Sequence, residues 1–392
     1  MSGPTDPGSV ERSDTDLATR RWALDAVIDE ALETGRVVGA VVLVRERGAL
    51  VYERAAGYRD REAGLPMALD TVFRWASLTK PLVSTTALAL VERHRLTLED
   101  RVTEFLPGFT PHLPDGTSPP ITLRHLLTHT AGLGYPSSAP GDPYEAARIS
   151  TGIDQPGLSL AENLRRIAST PLYSAPGSAW RYSIATDVLG AIIEMVHEGS
   201  LADAVATYVT GPLDMNDSSF AVRDPERLAV PYADGDPRAV RMGEPHRVGD
   251  LVFSPARAFD ERSFQSGGGG MVGTAGDFMR FLEAWRLGGA PVLTADTVEE
   301  ASRNQVGGLR ERDAPGWGFG FISGVLLDPQ RAGSRSSAGT LSWGGVYGNS
   351  WFLDRASALS FVALTNTALE GNSGAFRDDI RAAVYTGAGA TL

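Results

Sequence analysis

The chain has 392 residues, of which 42% are hydrophobic, enough for one large domain or two ordinary domains around a substantial core. Its formal net charge is −12, and it shows no basic stripe of the kind that nucleic-acid binders carry, so we expect no nucleic-acid partner. It contains no cysteine, which excludes disulfides, thiolate chemistry and cysteine-ligated metal sites.

The N-terminal residues are polar and predict a disordered leader over residues 1–15. They include no apolar run typical of a secretory signal. No stretch approaches the ~18 apolar residues that a membrane span requires. We therefore expect a cytoplasmic protein without a membrane partner.

The first structured elements are predicted to be a helix followed by two strands. Asp16–Thr34 carries apolar residues at helical spacing, and Gly35 follows it. Two β-rich runs lie between Val37 and Tyr58 and flank a turn at Arg47 and Gly48, which is typical of a hairpin.

The middle of the chain is mainly helical in pattern. Ser159 and Glu162 form the S-x-x-E capping-box pattern at the start of one helix. The glycine run at 267–270 is too short for a linker and indicates tight turns or close backbone approach. The predicted helices are Leu78–Arg93, Ile121–Thr128, one that follows Ser159, 183–199, 200–209 and Asp277–Trp285.

Strand-like patterns return near the C-terminus, at 316–324, 340–348, 349–354 and 358–366, before a last helix over about 373–385. Strands thus occupy both ends of the chain and helices its middle. This order predicts an α+β fold in which helices flank an antiparallel sheet and a helical domain is inserted. We expect a discontinuous α/β domain, residues 16–76 and 250–392, and a mainly helical domain, residues 77–249.

The only lysine of the chain, Lys80, stands three residues after Ser77 in the stretch WASLTKPLV. If Ser77 opens the predicted helix, both side chains lie on one face, one turn apart. A serine hydroxyl is a poor nucleophile until a neighbouring base takes its proton, and lysine can be that base because burial and nearby cations lower its pKa. Arginine cannot, since it stays protonated in proteins. The alternative is that S-x-x-K, a weak pattern, arises here by chance.

Two further segments fit acyl-transfer chemistry. Tyr182 precedes a predicted helix and is a candidate general base, as a phenolate held by a nearby cation, or else a half-buried packing residue. Gly344 and Gly345 lie in a β-like run, where they would let a substrate approach the backbone donors of an oxyanion hole, or else mark a bulge.

In their order and spacing, these motifs resemble those of the β-lactamase-like serine hydrolases, and more narrowly the family VIII carboxylesterases of the EstB type. The resemblance covers the chain from about Asp16 to Tyr385. It implies a β-lactamase/transpeptidase-like fold with the site in a cleft between the two domains. The motifs are Ser77-Leu-Thr-Lys80, Tyr182-Ser-Ile184 and Trp343-Gly-Gly345, with supporting stretches at His125–Tyr135, Gly267–Phe281 and Trp343–Arg355.

The resemblance also implies roles for these residues. Ser77 would be the acylated nucleophile, and Lys80 and Tyr182 would form its base system. The backbone N–H groups of Ser77 and Val346 would form the oxyanion hole. The residues implied to bind the substrate are Tyr135, Trp343, Gly344 and Gly345.

Two positions depart from the β-lactamases and penicillin-binding proteins of the superfamily. Those proteins have asparagine where Ile184 stands, and it holds the acylamino side chain of β-lactams. They have the lysine of a K-T-G motif where Trp343 stands, and it helps to hold the β-lactam carboxylate. An apolar, aromatic-lined site suits neutral esters better.

Other catalytic constellations find little support. The chain has six histidines but no G-x-S-x-G nucleophile elbow. His125 and His129 have metal-compatible spacing without an H-E-x-x-H motif, and we expect His129 to be a capping or core-adjacent residue. We expect no cofactor and no metal. The aromatic residues expected in the sheet core are Trp317, Phe319, Phe321 and Trp351.

The leading hypothesis is a carboxylesterase that hydrolyses short-chain acyl esters through an acyl-Ser77 intermediate, with a small-molecule ester as its partner. A β-lactamase, a small-amide hydrolase or a transesterase on the same site remains an alternative, and weak β-lactam opening beside esterase activity is compatible with the family. A non-catalytic binding protein is a more remote alternative, since Ser77, Lys80 and Tyr182 are all present. The sequence does not define the oligomeric state.

Overall fold

A computed structural model describes residues 14–310 and 313–386 of the chain. Its strands are β1 Gly39–Glu46, β2 Ala49–Asp60, β3 Leu65–Pro66, β4 Phe73–Arg74, β5 Tyr232–Ala233, β6 Val240–Arg241, β7 His246–Val248, β8 Leu251–Phe253, β9 Val272–Gly273, β10 Trp317–Phe319, β11 Gly324–Leu326, β12 Leu341–Gly345, β13 Asn349–Asp354, β14 Leu359–Thr365 and β15 Thr367–Ala368.

The helices lie mainly between the first and last strands. They are α1 Asp14–Glu33, α2 Thr79–Glu92, α3 Val102–Phe105, α4 Leu123–Leu127, α5 Pro143–Ala146, α6 Leu160–Ala168, α7 Ala185–His197, α8 Leu201–Val205, α9 Ala275–Arg286, α10 Ala295–Ser302, α11 Glu370–Ser373 and α12 Ala375–Val384. Short 3₁₀ helices span Ala76–Leu78, Pro225–Arg227 and Pro255–Phe259, and a π-helical turn spans Ala206–Thr210.

The principal sheet is built from both ends of the chain, in the order β10-β11-β12-β13-β14-β1-β2-β3. Its neighbouring strands are antiparallel. In its centre β1 pairs with β14, so that Ala40 lies opposite Thr365. The predicted α+β class, with helices flanking an antiparallel sheet, is confirmed.

Both faces of the sheet are covered by helices, which explains why β1 reads as an almost continuous apolar run. Val42 and Val44 face α1 and α12, in a cluster with Ile28 and Ile380. The alternate residue Val41 belongs to the larger cluster on the other face, which includes α2, α7 and α9. The period of two along the strand therefore divides its side chains between two cores.

The N-terminal predictions agree with the structure within a few residues. The hairpin turns at Arg47 and Gly48, which have φ values of 51° and 85°, as a two-residue hairpin loop requires. The predicted leader, residues 1–15, lies outside the described residues except for Asp14 and Thr15. Those two belong to α1, so the helix begins two residues earlier than predicted.

A short strand pair brings two distant segments together beside the sheet. Phe73 of β4 pairs with Gly273 of β9, so the chain entering α2 runs next to the chain leaving the glycine run at 267–270. In that run, a side chain at Gly267 would collide with the carbonyl oxygen of Thr186. The glycines therefore serve close backbone approach.

The division into an α/β domain, residues 16–76 and 250–392, and a helical domain, residues 77–249, stays a prediction. Several short elements of the described residues, among them α10 and most of β11, lack a counterpart among the predicted ones. Within the described residues, each helix is too short or too polar to cross a lipid bilayer.

Candidate active site

Ser77 lies in the 3₁₀ turn Ala76–Leu78, which leads directly into α2. The preceding residue, Ala76, has a φ of 46°, in the left-handed region that a non-glycine residue rarely adopts. Strain of this kind is concentrated at functional sites, where the surroundings hold it in place. The turn places the Ser77 and Lys80 side chains together, with 9% and 4% of their surfaces exposed.

The ammonium group of Lys80 is surrounded by oxygen acceptors. Its Nζ atom donates to Ser77 Oγ at 3.3 Å, to the Tyr135 hydroxyl at 2.9 Å and to the Gly268 carbonyl oxygen at 2.6 Å. A charged lysine has three N–H donors and no acceptor, so three partners satisfy it completely. The contacts therefore fit the protonated form of Lys80.

The electrostatic surroundings agree with this protonated form. Burial acts to lower the pKa of Lys80, but the oxygens of Tyr135 and Tyr182 outweigh it, and the pKa is raised above its ordinary value. The expected net direction, a lowered pKa of Lys80, is therefore wrong, although burial does act in that direction. The physical reason is that the nearest polar groups are oxygens that favour the ammonium rather than cations that oppose it.

Tyr182 stands three residues before the start of α7, with its ring against Lys80. Lys80 Nζ lies 4.8 Å from the centre of the Tyr182 ring. The Tyr182 hydroxyl accepts a hydrogen bond of 3.1 Å from the indole Nε1 of Trp343. The structure thus gathers the serine, the lysine and the tyrosine of the sequence motifs, and adds a donor to the tyrosine oxygen.

Tyr135 lies beside Tyr182, with 5.6 Å between the ring centres. Burial raises the pKa of Tyr135, although the neighbouring Lys80 acts in the opposite direction. Tyr135 contacts Lys80 and does not line the cavity described below. Tyr135 is half-buried with its hydroxyl on Lys80, and its role in substrate binding stays a prediction.

The Gly268 carbonyl is a partner of Lys80 that sequence reasoning did not assign. The buried carboxylate of Asp187 accepts from the Gly268 N–H at 3.0 Å and from Ser266 Oγ at 2.7 Å. These bonds hold the backbone at Gly268, the residue whose carbonyl oxygen accepts from Lys80. The glycine run itself was the available signal, since it predicted close backbone approach without naming the partner.

The two predicted oxyanion donors are available for binding. Neither the Ser77 N–H nor the Val346 N–H donates a hydrogen bond to another group within residues 14–310 and 313–386. The end of β12 lies against the 3₁₀ turn, and a side chain at Gly345 would collide with the carbonyl oxygen of Trp75. The glycine therefore allows Val346 to approach the serine.

A cavity of about 1140 Å³ opens over these groups. Ser77, Tyr182, Trp343, Gly344 and Val346 contribute to its wall. Gly345 is buried under the wall instead. Ser77 and Val346, the residues of the nucleophile and of the two predicted donors, thus both lie at the cavity.

Aromatic rings support the site from behind. His129 is 3% exposed, packs 4.8 Å from the Tyr182 ring and contacts Ser183 Oγ through its Nδ1 at 3.1 Å. This placement agrees with a core-adjacent residue. Phe319, Phe321 and Trp351 are buried as expected, but Trp317 lies on the cavity wall.

Comparison with known proteins gives the same protein family as the sequence motifs. The β-lactamase family model matches residues 24–386. Esterase EstB of Burkholderia gladioli is 49% identical over 389 residues, which cover 97% of this chain and 98% of the relative. The lovastatin esterase of Penicillium rubens is 27% identical and covers 88% of this chain and 93% of its own.

A solved structure, together with the family match, confirms the β-lactamase/transpeptidase-like fold predicted from the sequence. EstCE1, described as a hydrolase with promiscuous acyltransferase activity, superposes with a TM-score of 0.90 at 42% sequence identity. The match covers 95% of this chain and 99% of that one.

Proposed function

Since the chain belongs to the β-lactamase family, we propose that it is a serine carboxylesterase that hydrolyses short-chain acyl esters through an acyl-Ser77 intermediate. The similarity to esterase EstB over nearly the whole chain supports ester hydrolysis. The observation that carries the mechanism is the contact of Ser77 Oγ with Lys80 Nζ at a cavity where two N–H groups have no partner among the described residues.

Acylation begins when the ester carbonyl carbon lies against Ser77 Oγ. Tyr182, as a phenolate held by Lys80 and by the Trp343 indole N–H, takes the hydroxyl proton while Oγ bonds to the carbonyl carbon. The N–H groups of Ser77 and Val346 donate to the oxyanion of the tetrahedral intermediate. The intermediate then releases the alcohol, which carries away the proton from Tyr182.

Deacylation repeats these steps with water as the nucleophile. Tyr182 takes a proton from water while the water oxygen bonds to the acyl carbon. The N–H groups of Ser77 and Val346 donate to the new oxyanion. Collapse returns the proton to Ser77 Oγ and releases the carboxylic acid. Lys80 keeps its proton throughout and acts through its charge and its three donated hydrogen bonds.

β-Lactam hydrolysis on the same site is the alternative, and two contacts weigh against it. Ile184 is fully buried and offers no amide to a β-lactam side chain. The Trp343 indole N–H, at the position of the family's K-T-G lysine, is committed to Tyr182. We therefore propose weak β-lactam opening at most. The cytoplasmic location stays a prediction.

The function is tested by initial rates on p-nitrophenyl acetate, butyrate and octanoate and on a chromogenic cephalosporin. We expect fast turnover of the short esters, little opening of the cephalosporin, and loss of both in Ser77→Ala. Ser84→Ala is the matched control, because Ser84 is a buried serine of α2 seven residues away. Full ester hydrolysis by Ser77→Ala would contradict the proposal.

A fluorophosphonate probe distinguishes an enzyme from a binding protein on the same scaffold. The probe labels a serine only when the hydroxyl is activated as a nucleophile. We expect one label on Ser77, located by mass spectrometry of the digested protein. An unlabelled Ser77 in the folded protein would favour the binding protein.

A further inference from the structure

The cavity at Ser77 continues into a region rich in arginine. Among the described residues, five arginines and three aspartates line it, although the whole chain has a net charge of −12. Asp378 pairs with Arg377 at 2.6 Å, and Asp379 pairs with Arg36 at 3.7 Å. Two of the three negative charges are thus compensated, and the lining keeps an excess of positive charge.

Arg310 is the arginine of this region that lies against the candidate catalytic residues. The centre of its guanidinium group stands 5.2 Å from the centre of the Trp343 ring and 4.8 Å from that of Trp180. Trp343 donates a hydrogen bond to Tyr182, the proposed base, so the Trp343 indole alone lies between that tyrosine and the Arg310 guanidinium. Planar stacking on aromatic faces holds a guanidinium in a fixed orientation.

Within residues 14–310 and 313–386, the Arg310 guanidinium has no ion-pair partner. Nη1 donates to the Gly318 carbonyl oxygen at 2.8 Å, while Nε and Nη2 make no hydrogen bond within residues 14–310 and 313–386. No carboxylate of the described residues lies within 4.0 Å of it, and Asp313 is the acid that acts on it electrostatically. A partly buried cation without a partner is costly, and an anionic ligand would compensate it.

We propose that Arg310 binds a carboxylate carried by the substrate, so that the preferred substrates are esters with a free carboxylate on their acyl or alcohol part. This inference rests on the proposed esterase function and names its substrate class. Trp343 replaces the lysine that holds a carboxylate in the β-lactamases, and in this chain Arg310 supplies the missing positive charge across the face of the same indole. The charged lining of the cavity would also attract such a substrate from solution.

Matched ester pairs test the inference. Mono-4-nitrophenyl adipate and 4-nitrophenyl hexanoate differ by a carboxylate on the acyl part, and 4-acetoxybenzoate and phenyl acetate differ by one on the alcohol part. For each pair we measure the ratio of kcat/KM for the anionic ester to kcat/KM for the neutral ester. A ratio within one protein cancels a general loss of activity.

We expect Arg310→Gln to lower this ratio about ten-fold or more for at least one pair, since hydrogen bonds to charged groups are worth that factor. The ratio for Arg310→Lys should lie between those of the parent and Arg310→Gln, because lysine keeps the charge but loses the planar guanidinium that stacks on the indoles. Arg335→Gln is the matched control, because Arg335 lines the same cavity but is exposed, and it should keep the parental ratio. Raising NaCl from about 0.02 to about 0.5 M should lower the parental ratio.

The possible failures are distinguishable. Ser77-dependent hydrolysis with the same ratio in parent and Arg310→Gln would overturn the carboxylate site and leave the esterase proposal standing. If the parent protein hydrolysed none of these esters, the esterase proposal would be overturned. In that case calorimetric titration of the parent with adipate decides the inference: binding abolished by Arg310→Gln would support the carboxylate site, and binding unchanged by it, or none in the parent, would overturn it.

Discussion

The indole Nε1 of Trp343 donates a hydrogen bond of 3.1 Å to the hydroxyl oxygen of Tyr182. The two rings pack with 5.0 Å between their centres, so the bond is held by ring contact as well as by its own geometry. The position that carries a lysine in the β-lactamases therefore serves the tyrosine of this site. An N–H donor at the oxygen stabilises negative charge on it during proton transfer.

Trp343→Phe should lower kcat for p-nitrophenyl butyrate about 10- to 100-fold. The ring is kept, and the lost hydrogen bond to a charged oxygen is worth about 1.5–3 kcal/mol. Trp317→Phe is the control, because Trp317 lines the same cavity without contacting Tyr182. Equal rates for Trp343→Phe and the parent would remove the indole N–H from the mechanism.

The two tyrosines at Lys80 should respond differently to the loss of their hydroxyl groups. Tyr182→Phe should lower kcat about 10³-fold or more, because it removes the proposed general base. Tyr135→Phe should cost about ten-fold, because it removes one hydrogen bond to Lys80 while burial keeps the pKa of Tyr135 high and its hydroxyl protonated. A larger loss in Tyr135→Phe than in Tyr182→Phe, from steady-state rates, would exchange the two roles.

Lys80→Arg should lower kcat about 10³-fold or more while the protein remains folded. The planar guanidinium keeps the charge but cannot direct three N–H donors to Ser77, Tyr135 and the Gly268 carbonyl from one nitrogen. Circular dichroism and thermal unfolding would establish the fold, and fluorophosphonate labelling would report on the serine. Turnover near the parental rate would mean that Lys80 acts through its charge alone.

His129 should make the protein less stable below neutral pH. Burial, with Lys80 and Arg310 adding to it, lowers the pKa of His129 well below its ordinary value. The unfolded chain then binds a proton below about pH 6.5 that the folded protein does not, so the free energy of unfolding falls as the pH falls. The expected loss is about 1.4 kcal/mol for each pH unit, until the folded-state pKa is reached.

Urea unfolding of the parent and of His129→Asn at pH 7.5 and 5.5 measures this contribution. Asparagine tolerates the φ of 56° found at His129. His94→Asn is the control, because His94 has a similar φ of 54° but is exposed. Parallel losses of stability in the parent and in His129→Asn would exclude His129 as the source.

Local patterns were sufficient to predict much of the fold. The hairpin followed from a turn at Arg47 and Gly48 between β-rich runs, and the start of α6 followed from Ser159, whose Oγ accepts from the Glu162 N–H. The α10 helix and the β11 strand were missed because each is short. Signals confined to a few residues leave little periodicity to recognise.

The candidate site was predictable in its members but not in its interactions. Ser77, Lys80 and Tyr182 could be chosen from their motifs, and the structure brings them together. The partner of Lys80 at Gly268 is 188 positions away in the chain, so no local pattern could name it. The pKa of Lys80 was predicted in the wrong direction, because its sign depends on neighbouring oxygens that only the folded chain supplies.

The pairing of β1 with β14 also has a consequence for synthesis. Ala40 pairs with Thr365, near the other end of the chain. The strand β1 therefore emerges from the ribosome long before its partner strand β14 has been made. The segment that carries Ser77 and Lys80 is made early, whereas the Val346 wall of the cavity comes from the last fifth of the chain. A chain interrupted before Leu359 keeps the nucleophile but leaves an apolar strand open to other chains, which is a route to aggregation. Refolding yield should therefore fall steeply as the protein concentration rises.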